Sequence, residues 1–143
     1  AQHSMGVMYR NGKGVPQNDK TAVKWYRLAA KQGNAFAQTS LGFMYEKGQG
    51  VPQDDKTAVK WYRLAAEQGN ADAQSNLGFM YAKGQGVIQD NVYAHMWFNI
   101  AASSGNKGAS ENRDIVAERM TPSQIQEAQT LARECVAKNY KGC

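Results

Sequence analysis

The sequence predicts an all-α protein, a solenoid of antiparallel helix pairs. Three observations carry this. The chain matches itself at an offset of 36 residues, the signature of a repeat architecture. Each period holds two helix-length stretches separated by a loop with paired glycines, followed in the first two periods by a proline, and these residues stop helices. Within each stretch the apolar residues fall at helical spacing on one face.

The first repeat, about residues 1–33, sets the register: Gly6, Met8, Tyr9, Gly14, Val15, Ala22, Trp25, Ala29, Ala30 and Gly33 all return one period later. Ala1 aligns with Ala37 and Ala73, so the first helix lacks the Asn that precedes its counterparts, and the natural chain is expected to extend upstream. The second repeat, about 34–69, shows the pattern best. Helix A should run from about Ala35 to Lys47 with Asn34 as N-cap, and Gly48-Gln49-Gly50-Val51-Pro52 should interrupt it. Helix B should begin near Asp54 or Asp55 and stop at Gln68, with Gly69 just beyond its end. On helix A, Ala37, Leu41, Met44 and Tyr45 share a face, and Gly42 removes a side chain where the partner helix presses closest. On helix B, Ala58, Trp61, Ala65 and Ala66 are expected to form the matching face, small alanines making room for the indole. The third repeat, about 70–105, keeps the same features through Gly78, Met80, Tyr81, Ala94 and Trp97.

The last stretch, 106–143, departs from the pattern, because Arg113 and Asp114 stand where Leu and Gly should be. A helix is still predicted from Ala109 to Arg119. A second follows Thr121 as N-cap, with Pro122 at N1, Gln124 closing a capping box, and Ile125, Ala128, Leu131 and Ala132 on its apolar side. This pair reads as the terminal cap of one 1–143 domain.

The stretch Ala37-Gln38-Thr39-Ser40-Leu41-Gly42-Phe43-Met44-Tyr45, the Gly48-Gln49-Gly50-Val51 loop, Ala58 with Trp61, and Ala65-Ala66-Glu67-Gln68-Gly69 together resemble the Sel1-like repeat, a relative of the tetratricopeptide repeats with a slightly longer unit. The resemblance covers Ala1 to about Asn106 as three units, leaving the C-terminal pair as a degenerate cap. It implies a right-handed alpha-alpha superhelix that acts as a protein- or peptide-binding scaffold and not an enzyme, with no cofactor and no metal.

Composition is consistent with this. The chain of 143 residues is 42% hydrophobic and 20% charged, enough to bury roughly 70% of its unfolded surface, and no apolar run approaches the length of a membrane-spanning helix. A net charge of +5 raises nucleic acid, anionic lipid or an acidic partner as ligands. The basic residues fall in order on the B helices: Lys20, Lys24, Arg27 and Lys31, then Lys56, Lys60 and Arg63. A phosphate-tracking surface would add aromatics for stacking, so a solvated convex face is favoured and no nucleic-acid partner is expected. In the third unit these positions read Val92, Met96, Asn99 and Ser103, which implies cover by the C-terminal helix or by a second chain.

The binding surface expected from the architecture is the concave face lined by A helices. Its candidates are His3, Val7 and Arg10 in the first repeat, Phe36, Thr39, Phe43 and Glu46 in the second, and Asp72, Ser75 and Phe79 in the third, where Ala82 completes the stripe; Glu111 and Ile115 would extend it into the cap. Phe43 and Phe79 read either as aromatic anchors of a peptide groove or as rings half-buried between adjacent helices.

Catalytic readings are weaker. His3 and His95 fall on different units, so no His-based pair or triad forms. The resemblance extends to relatives that bind or hydrolyse penicillin-like, cell-wall compounds, and a Ser-x-x-Lys does occur at Ser104-Gly105-Asn106-Lys107. It spans an inter-repeat turn, whereas that chemistry needs the serine to open a helix. Cys135 and Cys143 would be about 12 Å apart on an unbroken helix, too far for a disulfide, which needs Cα atoms within roughly 7 Å. They can pair if the helix stops near Asn139 and the tail folds back. A disulfide implies a periplasmic or secreted protein of a bacterial envelope; free thiols imply a cytoplasmic one.

Overall fold

The computed structural model describes residues 1–143 and consists of eight helices joined by short turns: α1 (Gln2–Asn11), α2 (Asp19–Lys31), α3 (Ala35–Lys47), α4 (Asp55–Glu67), α5 (Ala71–Lys83), α6 (Asn91–Ser103), α7 (Ala109–Ala117) and α8 (Pro122–Ala137). By contact the chain divides into two compact units, Ala1–Ala65 and Ala66–Cys143. No helix is long and apolar enough to cross a membrane.

The helix starts follow from local chemistry. Four backbone N–H groups at a helix N-terminus lack intrahelical partners, and a short polar side chain just upstream satisfies some of them. Ala37 N–H donates to Asn34 Oδ1 at 2.9 Å and Ala73 N–H to Asn70 Oδ1 at 2.9 Å, while Asp90 accepts from Val92 and Tyr93. The capping box of α8 is complete, with Gln124 N–H donating to Thr121 Oγ1 and Thr121 N–H to Gln124 Oε1. α7 ends at Ala117, two residues earlier than the sequence predicts, because the chain tightens there: Arg119 and Met120 N–H donate three residues back, to Val116 and Ala117.

Buried glutamines account for a repeated feature whose role the sequence left open. Gln38 Nε2 donates to the Ala30 carbonyl and Gln74 Nε2 to the Ala66 carbonyl. Each adds a second donor to a carbonyl in the last turn of the preceding B helix, which also accepts from the N–H of Gly33 or Gly69. The Ala-Gln pairs are thus a stitch between consecutive helices.

In the unit Ala1–Ala65, a core of Ala22, Val23, Tyr26, Ala29, Ala30, Ala37, Leu41 and Met44 is flanked by half-buried Val7, Tyr9, Phe43, Tyr45, Val51 and Trp61. The predicted role of the tryptophan needs correction here. Tyr62, fully buried at 0% exposure, is the aromatic that faces Gly42, while Trp61 sits at the margin. The buried positions of α4, namely Ala58, Val59, Tyr62, Ala65 and Ala66, form a stripe one and two turns apart, and Trp61 falls on its edge. A Cβ on Gly42 would lie 2.7 Å from the Tyr62 ring, and the same close approach joins Gly6 to Tyr26. The loop after α3 is equally tight. Gly50 has φ of 73°, and a Cβ there would meet the Asp19 carbonyl oxygen at 2.5 Å, so main chain rests on main chain at the start of α2.

In the unit Ala66–Cys143, Phe98 takes the place of the tyrosine against Gly78, and Trp97 is buried as well. α6 packs against α5, α7 and α8. This explains its polarity: Met96, where the first two units carry lysine, is buried. Of the two covers the sequence allowed for this face, α8 supplies the one seen. Beyond α8 the chain turns back through Asn139 and Tyr140, both at positive φ. Cys135 and Cys143 are joined as a disulfide with Cα atoms 5.7 Å apart. The folded-back Tyr140 ring lies against Gly69.

Candidate functional site

Within Ala1–Ala65 the candidates on α1 and α3 meet. His3 lies 6.1 Å from the Phe36 ring and 5.7 Å from Tyr26. Burial, and then the N-terminal charge, lower the pKa of His3, which favours the neutral imidazole. Phe36 is 65% exposed, the least covered aromatic among the candidates. About two turns further along, the Arg10 guanidinium carbon stacks 4.6 Å over the centre of Phe43, and Lys47 Nζ lies 5.8 Å from the same ring. Val7, between His3 and Arg10, is half-buried against the core.

Thr39 and Glu46 are less available than their spacing suggests. Thr39 Oγ1 donates to the Ala35 carbonyl within its own helix. Glu46 Oε1 accepts from the Tyr62 hydroxyl at 2.7 Å, and its other oxygen pairs with Lys47 at 3.4 Å. Desolvation, followed by that carboxylate, pushes the Tyr62 hydroxyl far above the ordinary phenol range, so it remains a donor. Glu46 is therefore an internal acceptor first and a surface charge second.

Within Ala66–Cys143 the corresponding residues differ. Phe79 is 37% exposed, edge-on to Phe98 at 5.0 Å, with Lys83 Nζ 5.6 Å from its ring. Asp72 is exposed and accepts from Asn106 Nδ2 at 3.0 Å. Ser75 must be removed from the open surface. It is only 5% exposed, because its place in α5 turns it toward the packed side. Glu111 and Ile115 are exposed on α7.

Two further residues border these rings, Lys47 and Lys83. Each stands four residues after its phenylalanine, on the same face of the helix, a signal present in the sequence. A groove lies between α6 and α8. It encloses about 240 Å³ and is lined by Asn99, Ile100, Ser103, Ala132, Arg133 and Val136. Its two walls, Asn99 to Ser103 and Ala132 to Val136, come from different helices distant in sequence, so no local pattern announces it.

No three His, Cys, Asp or Glu side chains converge as metal ligands. Ser104 sits at the C-cap of α6 and Lys107 in the exposed turn that follows. His95 is buried with Nδ1 unpartnered, and burial, then Arg113, depress its pKa against the opposing pull of Asp114. On the B helices Arg27 donates to the Tyr45 hydroxyl at 2.9 Å, and Arg63 is also partnered, leaving lysines as the exposed charges of the basic rows.

A family model of the Sel1 repeat matches residues 1–34, 35–70 and 71–106. The chain belongs to the Sel1 repeat family. The second and third matches begin at Ala35 and Ala71, the first residues of α3 and α5. The crystal structure of a Sel1 repeat protein from Oxalobacter formigenes matches with a TM-score of 0.71 and 42% identity, over 79% of this chain and 85% of that one. The crystal structure of a protective antigen present in uropathogenic Escherichia coli strains, displaying an SLR fold, matches with a TM-score of 0.81 and 30% identity over 97% of this chain. The chain spans 38% of that antigen's length. No protein of curated function matches the sequence. The fold is thus the Sel1 solenoid of paired helices, an architecture commonly used as a protein-interaction scaffold.

Proposed function

We propose that this Sel1 repeat chain is a non-catalytic scaffold that holds a peptide or protein segment along the face of its A helices, the concave face in this architecture. The observation that carries the reading is the joint surface of α1 and α3. There an exposed Phe36 and a half-buried Phe43 are bordered by His3, Arg10 and Lys47. Rigid aromatic anchors with a polar border are what peptide grooves use, and both helices are held by core contacts behind them. Phe79 with Lys83 offers a similar, smaller element in the unit Ala66–Cys143.

The placement of Ser104 at the C-terminal end of a helix, not at its start, favours the scaffold reading over hydrolysis of cell-wall or penicillin-like compounds. The Cys135–Cys143 pair supports a periplasmic or secreted setting. Two alkylatable thiols in protein taken unreduced from its host would overturn that location.

The test of function is capture of partners from extract of the native host by the wild type and by a Phe43→Ala, Phe79→Ala double variant. Loss of a specific partner with unchanged helical circular dichroism is expected. Undiminished capture would place the site elsewhere.

A further inference from the structure

The A-helix face of Ala1–Ala65 carries one cation with no matching anion. Arg10 forms no ion pair with any carboxylate: Glu46, the acid one period later, is occupied by the Tyr62 hydroxyl and by Lys47. Counting Arg10, Lys47 and Glu46 together leaves a single positive charge, centred on Arg10. Its guanidinium is laid on the Phe43 ring at 4.6 Å and donates one hydrogen bond to the Tyr26 hydroxyl. Stacking occupies one flat face of the guanidinium and Tyr26 one of its five N–H groups, which leaves the other N–H groups in the plane. That plane is the geometry with which arginine grips a carboxylate through two parallel hydrogen bonds. A ring beneath the arginine also fixes its orientation beforehand, so less side-chain freedom is lost on binding.

The apolar half of the surface lies at a defined distance. Phe36 and Phe43 are seven residues apart on α3, which on a helix is about 10 Å. An extended peptide covers that span in roughly three residues. Resting on the proposed peptide-binding role of this face, we infer that its occupant is an extended segment carrying an Asp or Glu side chain three positions from an aromatic or large aliphatic residue, the acid on Arg10 and the apolar group on Phe36.

The probe is a pair of short peptides, acetylated and amidated so that they carry no terminal carboxylate. One holds Glu and Phe three positions apart in a Gly/Ser frame, and the other has Gln in place of that Glu. Binding is followed by chemical-shift perturbation on the wild type, Arg10→Gln, Arg10→Lys and Phe36→Ala. The wild type should prefer the Glu peptide about tenfold or more, the scale of a charge-assisted hydrogen bond. Arg10→Gln should bind both peptides equally, and Arg10→Lys should keep only part of the preference, because the ammonium lacks the planar fork. A merely structural Arg10 would weaken both peptides alike and leave the preference intact, which overturns the inference. So would a wild type that fails to distinguish the peptides or binds neither. If the preference is absent but Phe36→Ala still weakens both peptides, the face binds peptides and only the acidic requirement falls. If Phe36→Ala changes nothing as well, the proposed face is itself wrong.

Discussion

At the scale of single residues, the repeat is organised around one missing side chain. Gly42 lets the Tyr62 ring approach the α3 backbone, and the ring then carries its hydroxyl to Glu46. Gly42→Ala would put a methyl group 2.7 Å from ring carbons and 3.2 Å from the Ala58 carbonyl oxygen, in a core with no room to yield. Overpacking of this kind costs about 1–3 kcal/mol, so the variant should melt several degrees below the wild type in a thermal scan. Gly69→Ala would not be an equivalent control, since Gly69 has φ of 88° and a side chain there is strained in itself. The glycine was legible in the sequence and its partner was not. Trp25, Trp61 and Trp97 recur as faithfully as any residue, and size alone favours the indole as the core aromatic. The neighbouring Tyr26, Tyr62 and Phe98 are chemically mixed and look less regular, yet they are the ones buried against glycine. A one-residue step on a helix turns a side chain by about 100°, and periodicity shows that a position matters without showing which way it faces.

Among the elements, α6 and α8 are the informative pair. α2 and α4 carry a charged row on their outer side, whereas α6 has Val92 and Met96 in its first half, and a helix that is apolar on more than one side needs a second cover. That inference could be made from Val92 and Met96 alone. The groove beside Asn99 and Arg133 could not, since it depends on how two helices distant in sequence lean together. The end of α8 is anchored by the Cys135–Cys143 link, which closes a loop of eight residues' separation. In the chain-entropy picture such a loop is worth about 2.5 kcal/mol. Cys135→Ser, Cys143→Ser should therefore leave the helix count unchanged and speed amide hydrogen exchange in α8 and in the turn around Gly69, where Tyr140 rests. Equal protection with and without the link would show that packing alone holds the tail.

For the whole molecule, the period in the sequence was sufficient to give the architecture, because each pair of helices has one face that only a neighbouring pair can bury. The same reasoning predicts the outcome of removing the terminal pair. A chain ending at Asn106 would uncover Met96, Phe98 and Ile100, all buried when α7 and α8 are in place. It should self-associate in size-exclusion chromatography at concentrations where the intact chain elutes as a single smaller species, and a truncated chain of unaltered size would refute the capping role. The binding face was legible only as a set of positions. Which of them remain open, as Phe36 does, and which are taken up internally, as Ser75 and Glu46 are, depends on side-chain partners in other helices that no spacing rule encodes.

The contact at Gly50 bears on how such a protein can change over time. Because main chain meets main chain at the start of α2, the interval between the first two pairs is set by a ruler with no side-chain graduations. Substitutions on the outward surfaces of α1 and α3 can accumulate without altering that interval. Ligand preference is thereby free to diverge while the frame presenting it keeps its dimensions.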